Sequence, residues 1–138
     1  MTTLRRTERS LAAALDAALS ALDLTAAQFH VLEELIVTSV LHVGELAWRH
    51  GVTRQSMHGI VRNLARAQLV ALAPSEHGVR NIWLTGDGRE RLVSAREAVS
   101  GIERRVAAAV GSEGGASLVR QLADISGSVE ERRGWWWD

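Results

Sequence analysis

The side chains with the most chemical capacity cluster in one short stretch, Gly51 to Leu64, written GVTRQSMHGIVRNL. Gln55, His58, Gly59, Arg62 and Arg66 recur at i, i+3, i+4, i+7 and i+11, so on a helix they share one face. Met57, Ile60, Val61 and Leu64 form the matching apolar face on the other side. Such a helix can be clamped to a core while it presents donors and acceptors outward. Arg and Gln pair bidentately with guanine and adenine edges, and hydroxyls near a helix start reach phosphate oxygens. On this reading Arg54, Gln55, Ser56 and His58 lie in the first turns, where base edges are met, with Thr53 and Ser56 placed to contact phosphate. Arg62 and Arg66, further along, track the backbone. Gly59, within the same face, costs about 1 kcal/mol against Ala in a helix interior. Either it is simply tolerated, or it opens room for a partner to approach.

The charge distribution supports an anionic partner for this face. Sixteen basic and sixteen acidic residues give a formal net charge of zero, but the balance is uneven along the chain. Residues 1–47 carry three Arg against six acids, residues 48–80 five Arg against Glu76 alone, and residues 81–138 eight Arg against nine acids. The positive excess therefore sits on the middle third. Every basic residue is Arg and none is Lys, and usage this uniform points to codon bias rather than to a site.

Other chemistries find little support. The absence of cysteine removes disulfides, thiolate metal sites and a thiol nucleophile. His30, His42, His50, His58 and His77 include no His-x-x-x-His pair, so no metal and no cofactor is expected. There is no Gly-x-Ser-x-Gly elbow, no P-loop and no dinucleotide fingerprint. The acid pairs Glu33-Glu34 and Glu130-Glu131 are sequence neighbours facing different directions, which reads as solvated helix surface. No enzyme is expected. No run of about 18 apolar residues could span a bilayer, and Met1 to Arg9 lacks the apolar core of a signal peptide. A cytoplasmic protein with no membrane contact is the expectation.

The elements that must position the stretch can be read around it. At 138 residues and 46% hydrophobic, one domain with a sizeable core is expected over 1–138. Leu11, Leu15, Leu19 and Leu22 define a first amphipathic helix from Thr7 to Leu22. Thr25 and Gln28 form a Thr-x-x-Gln capping box that starts a second helix, with Leu24 and Phe29 as its hydrophobic staple. Val37 to His42 is too short and too β-branched for a helix and reads as an extended link. A third helix runs from Val43 to about His50 and stops at Gly51. Thr53 caps the helix described above, which completes a helix-turn-helix. Val70 and Leu72, then Ile82 and Leu84, mark two strands around the turn Pro74-Ser75-Glu76-His77-Gly78, forming a hairpin wing. Thr85 caps a long helix to about Val110. After Gly111, Gly114 and Gly115, a last helix carries Leu118, Leu122 and Ile125.

In order and spacing, Leu24-Thr25-x-x-Gln28-Phe29-x-Val31-Leu32, Glu45-Leu46-Ala47-x-x-x-Gly51-Val52-Thr53-x-x-Ser56-Met57, Leu64-x-x-x-x-Leu69-Val70 and Leu84-Thr85-x-x-Gly88 resemble the MarR family of winged-helix transcription regulators. The resemblance covers roughly residues 7–126. It implies a mainly α fold with a small β-hairpin wing, a winged helix-turn-helix lobe at about 24–86 and dimerisation helices at 7–22 and 87–130. It also implies a homodimer on a pseudo-palindromic double-stranded DNA operator, a repressor released by a small aromatic or lipophilic effector. The apolar stripes of the first and last two helices exceed what so small a core can bury, which independently predicts burial between subunits.

Several residues depart from the pattern or stay open. At the wing tip, the family's acidic residue, spacer and Arg fall on Glu76, His77 and Gly78. The nearest cation is Arg80, about 6.6 Å along the strand, and it is the candidate replacement. His50 stands where the family carries a buried aliphatic residue and is expected to be partly buried and hydrogen-bonded. Trp48 and His30 are the candidates for effector binding. Trp48 either packs on the neighbouring helix, the expected reading, or lines a crevice, and Trp83 shares the ambiguity. Trp135, Trp136 and Trp137 form a Trp-rich tail at 131–138 expected to dock on the partner subunit. The alternative function is a dimeric small-molecule-binding or protein-interaction module that keeps the winged-helix scaffold with weak or lost DNA binding.

Overall fold

The computed structural model of the protein describes residues 2–39, 41–74, 81–111 and 114–130. The wing turn with Glu76, His77, Gly78 and Arg80, and the tail with Trp135, Trp136 and Trp137, lie outside them. The order is α1 (Thr2–Leu19), a single 3-10 turn (Ser20–Leu22), α2 (Ala26–Val37), β1 (Leu41–His42), α3 (Val43–Arg49), α4 (Arg54–Arg66), β2 (Val70–Leu72), β3 (Asn81–Leu84), α5 (Gly86–Val110) and α6 (Gly114–Glu130). The chain divides into two compact units, Met1–Ser100 and Gly101–Asp138. Among the described residues no single helix is long and apolar enough to cross a membrane.

Local chemistry explains the first unit's helix boundaries. The Thr25 hydroxyl accepts from the Gln28 N–H at 3.2 Å while the Gln28 side chain accepts from the Thr25 N–H at 2.9 Å, the expected reciprocal cap. Leu24 and Phe29 on either side are both buried. Asp16 of α1 adds a bond the local pattern does not reveal, accepting from the Ala26 N–H at 2.7 Å. Three helical segments then end alike. Asp23, Gly51 and Gln68 each have positive φ (52°, 62° and 60°), and the next N–H reaches back to a carbonyl five residues earlier. The pairs are Leu24 to Leu19, Val52 to Ala47 and Leu69 to Leu64. This left-handed closure satisfies carbonyls that the helix leaves open. Gly51 adopts it without Cβ strain, whereas Asp23 and Gln68 adopt it despite a side chain.

Two boundaries differ from the sequence expectation. The first helix begins at Thr2, not Thr7, and the Thr7 hydroxyl donates to the Thr3 carbonyl at 3.0 Å inside the helix instead of capping it. The extended link before α3 ends in a third strand. β1 pairs antiparallel with β3 through Leu41–Ile82 and His42–Asn81, and β2 pairs with β3 through Val70–Leu84, Ala71–Trp83 and Leu72–Ile82. The sheet order is β1-β3-β2, so β3 is central and the wing is anchored to the start of α3.

The core of the first unit lies under this sheet and between the helices. Leu19, Val31, Leu32, Leu35, Leu46, Met57, Leu64, Ile82, Leu92 and Val99 are all buried. α2 packs against α1, α4 and β3, and α3 packs against α4 and β1. In the second unit α6 is amphipathic, and its Val119, Leu122 and Ile125 are exposed, Val119 at 67%.

Candidate nucleic-acid interface

α4 has the two faces that its sequence spacing requires. Met57, Val61 and Leu64 are buried and Ile60 is half-buried, while Arg54, Gln55, His58, Arg62 and Arg66 are exposed. The helix start is built by Thr53, whose hydroxyl accepts from the Ser56 N–H at 3.1 Å and donates to Ser56 Oγ at 3.0 Å. That leaves the Ser56 hydroxyl proton free to point outward, toward an acceptor such as a phosphate oxygen. Gly59 sits half-buried on this face, and a Cβ added there would meet nothing within 4 Å.

Beside this face an open groove of about 340 Å³ is lined by Val43, His58, Val61, Arg62, Ala65, Arg66 and Leu72. Val43 and Val61 give it an apolar floor, and His58, Arg62 and Arg66 are its exposed polar members. The groove joins α4 to β2, the strand that leads into the wing.

The cationic excess of the middle third is smaller at this surface than the sequence count implies. Arg49 faces α2, not the α4 face. Its Nε and Nη2 donate to Glu45 Oε1 at 3.1 and 2.9 Å, and its Nη1 donates to Glu34 Oε1. Arg54, Arg62 and Arg66 have no carboxylate partner among the described residues. Among the described residues of the middle third, they are the cations left unpaired.

Other candidates fall elsewhere. Trp48 is 77% exposed, which corrects the expectation that it packs on the neighbouring helix. Leu46 and Ala47 take the buried phase of α3, and the next residue is carried outside. His30 is exposed on α2, its ring 5.6 Å from that of Phe29 at a 53° tilt. Neither residue lines the groove. Trp83 is also exposed, on the sheet face opposite buried Ile82 and Leu84.

His50 is half-buried as expected but not hydrogen-bonded as expected: its Nε2 is buried without a partner. Burial pushes its pKa below the usual 6.5, and His30 and Arg49 push the same way against the opposing pull of Glu34. Glu33 and Glu34 are not merely solvated. Glu33 accepts two bonds from Arg96 of α5, at 2.6 and 3.0 Å, while Glu34 takes Arg49. Among the described residues no group of His and acidic side chains could hold a metal.

The fold and this helix face can be set beside known proteins. The sequence pattern of the MarR family matches residues 22–80, the span from the start of α2 to the wing. The transcriptional regulator MosR of M. tuberculosis, solved in complex with DNA, is 30% identical over 96% of each chain, with a TM-score of 0.82. The chain belongs to the MarR family. As a MarR-family chain it shares its fold with more distant members. MepR of S. aureus, in a DNA complex, is 20% identical over 93% of this chain and 96% of that one, with a TM-score of 0.84. A mutant MarR of E. coli with operator DNA is 20% identical over 90% and 91%, with a TM-score of 0.81. No curated protein matches the chain significantly. The winged helix-turn-helix architecture expected from the sequence is thus that of a family of transcription regulators.

Proposed function

We propose that the chain is a cytoplasmic, homodimeric, sequence-specific DNA-binding repressor, a single MarR-like domain that inserts α4 into successive major grooves of a pseudo-palindromic operator. The observation that carries this is the exposed face of α4, with Arg54, Gln55, His58, Arg62 and Arg66 backed by buried Met57, Val61 and Leu64. Thr53 and Ser56 contribute phosphate contacts at the helix start, and Arg80 serves the wing. The DNA complexes formed by MosR, MepR and E. coli MarR support the reading. Exposed apolar side chains on α1 (Leu4, Leu11), α5 (Val106) and α6 (Val119, Leu122, Ile125) support a second copy as the partner for those helices. Trp48 and His30 are exposed and available to a small aromatic or lipophilic effector.

The test is selection of bound fragments from the source genome, followed by binding to the selected duplex at several salt concentrations. Affinity should fall steeply with salt, and Arg62→Ala should weaken binding and flatten that dependence by about 0.9 per subunit on log scales. No selected fragment at low salt, together with tight binding of an aromatic acid, would establish the rival instead, a ligand-binding module that has lost its DNA.

A further inference from the structure

Gly44 lies in the first turn of α3, and its missing side chain is occupied space. A Cβ built there would stand 3.2 Å from Arg54 Nη2, 3.3 Å from Nε and 3.5 Å from Cζ. Two nitrogens nearer than the carbon that joins them mean that the Nε–Nη2 side of the guanidinium lies against the glycine. No carboxylate draws it there: Arg54 has no ion-pair partner among the described residues, and Glu45, one residue along α3, is engaged by Arg49 at 2.9 Å. The absent Cβ leaves the guanidinium room to lie there. The first residue of α4 folds back over the preceding helix, while Gln55 and His58 of the same helix stay on its outward face. In a helix-turn-helix the second helix enters the groove and the first crosses the sugar-phosphate backbone. A cation lying on the first turn of that first helix faces phosphate, not base edges.

We propose that Gly44 is a positioning residue which, by lacking a Cβ, seats the Arg54 guanidinium on α3 and commits Arg54 to the DNA backbone, leaving base discrimination to Gln55 and its outward-facing neighbours. This rests on the DNA-binding reading above and revises the place of Arg54 within it. Arg54 then contributes affinity and salt dependence but no sequence preference. Gly44 sets the position of that charge without touching DNA through a side chain.

The experiment uses the full-length protein, a 24-base-pair duplex that it selects from a randomised pool, and single-base-pair variants of that duplex, with binding followed by fluorescence anisotropy from 50 to 200 mM salt. Losing one phosphate contact per subunit should lower the log-log salt slope of a dimer by about 1.8, so the affinity lost across that fourfold salt range shrinks about 12-fold for Arg54→Ala. The ranking of the base-pair variants should not change. Gly44→Met, which fills the seat with a good helix former, should reproduce the Arg54→Ala slope, and adding it to Arg54→Ala should cost nothing further. Thermal melts of each variant check the fold, and the exposed Arg54→Ala keeps the question answerable if Gly44→Met folds poorly. An Arg54→Ala protein that loses discrimination at one or two base pairs with its slope intact overturns the inference while DNA binding stands. So does a Gly44→Met cost of equal size with and without Arg54. A wild-type protein that selects no duplex removes the DNA reading and this inference with it.

Discussion

Gly88→Ala should be among the most damaging single-methyl additions to this protein, and the reason is local. Thr85 ties α5 to the turn after α4 twice. Its N–H donates to the Leu69 carbonyl at 3.1 Å and its hydroxyl donates to the Gln68 carbonyl at 2.7 Å, while that hydroxyl accepts from the Gly88 N–H at 3.0 Å. These bonds press the first turn of α5 against residues 68–69. A Cβ on Gly88 would overlap the Leu69 carbonyl oxygen and stand 3.0 Å from its carbon and 2.9 Å from Leu84 Cδ1. A carbon normally approaches a carbonyl oxygen to about 3.3 Å, and backbone cannot rotate away as a side chain can. The helix must retreat by something on the order of an ångström. That breaks at least one Thr85 bond, which for exposed or half-buried bonds costs about 0.5–1.5 kcal/mol, and adds overpacking of about 1–3 kcal/mol. Against this stands at most about 1 kcal/mol of helix propensity. The expected net loss is about 0.5–4.5 kcal/mol, measured by urea unfolding with tryptophan fluorescence and circular dichroism. Gly86→Ala is the internal control. It lies in the same turn, yet its added Cβ meets nothing within 4 Å, so it should be neutral or stabilising. Equal stability of the two variants within about 1 kcal/mol would refute the close-approach argument.

Two further outcomes follow from the helix-turn-helix itself. Gly59→Ala should raise stability by up to about 1 kcal/mol, because its Cβ enters open space. In the same protein, unchanged DNA affinity would show that the duplex does not approach this turn closely, and reduced affinity that it does. For His50, the folded pKa lies below the unfolded 6.5 because Nε2 is buried. The unfolded chain then binds a proton that the folded chain refuses, so stability is fully present above about pH 6.5 and is lost as pH falls through that value toward the folded pKa. His50→Leu should remove this loss. The difference between the two stability-pH curves isolates the contribution of position 50. Parallel curves from pH 7.5 to 5.5 would contradict the assignment.

What could be read from the sequence was what neighbours within one turn determine. The Thr25–Gln28 box, the Thr53 cap and the Met57–Leu64 stripe involve residues three to seven apart, and each formed as its spacing required. Thr85 was legible as a cap for the same reason, but not its grip on Gln68, seventeen residues away. β1 escaped because two residues carry no alternation, and only pairing with Ile82 and Asn81 makes them a strand. Trp48 faces outward because Leu46 and Ala47 take the buried phase of α3. The partners of Arg49 and the seat of Arg54 required knowing which helix lies beside which.

The adjacent acids of α2 show why a charge count along the chain misleads about a surface. Neighbouring residues on a helix point about 100° apart. Glu33 therefore reaches Arg96 on α5 while Glu34 reaches Arg49 on α3. Exposed pairs of this kind contribute little to stability because solvent screens them, so their value lies in orientation. They fix α2 between the long helix and the first helix of the helix-turn-helix. They also withdraw Arg49 from the middle segment's positive excess, so that the cations left unpaired among its described residues all belong to α4: Arg54, Arg62 and Arg66. Within the described part of that segment, the electrostatic attraction offered to a duplex is thereby concentrated on the helix that would read it. A chain with zero net charge can then bind an anion at one place without binding anions everywhere.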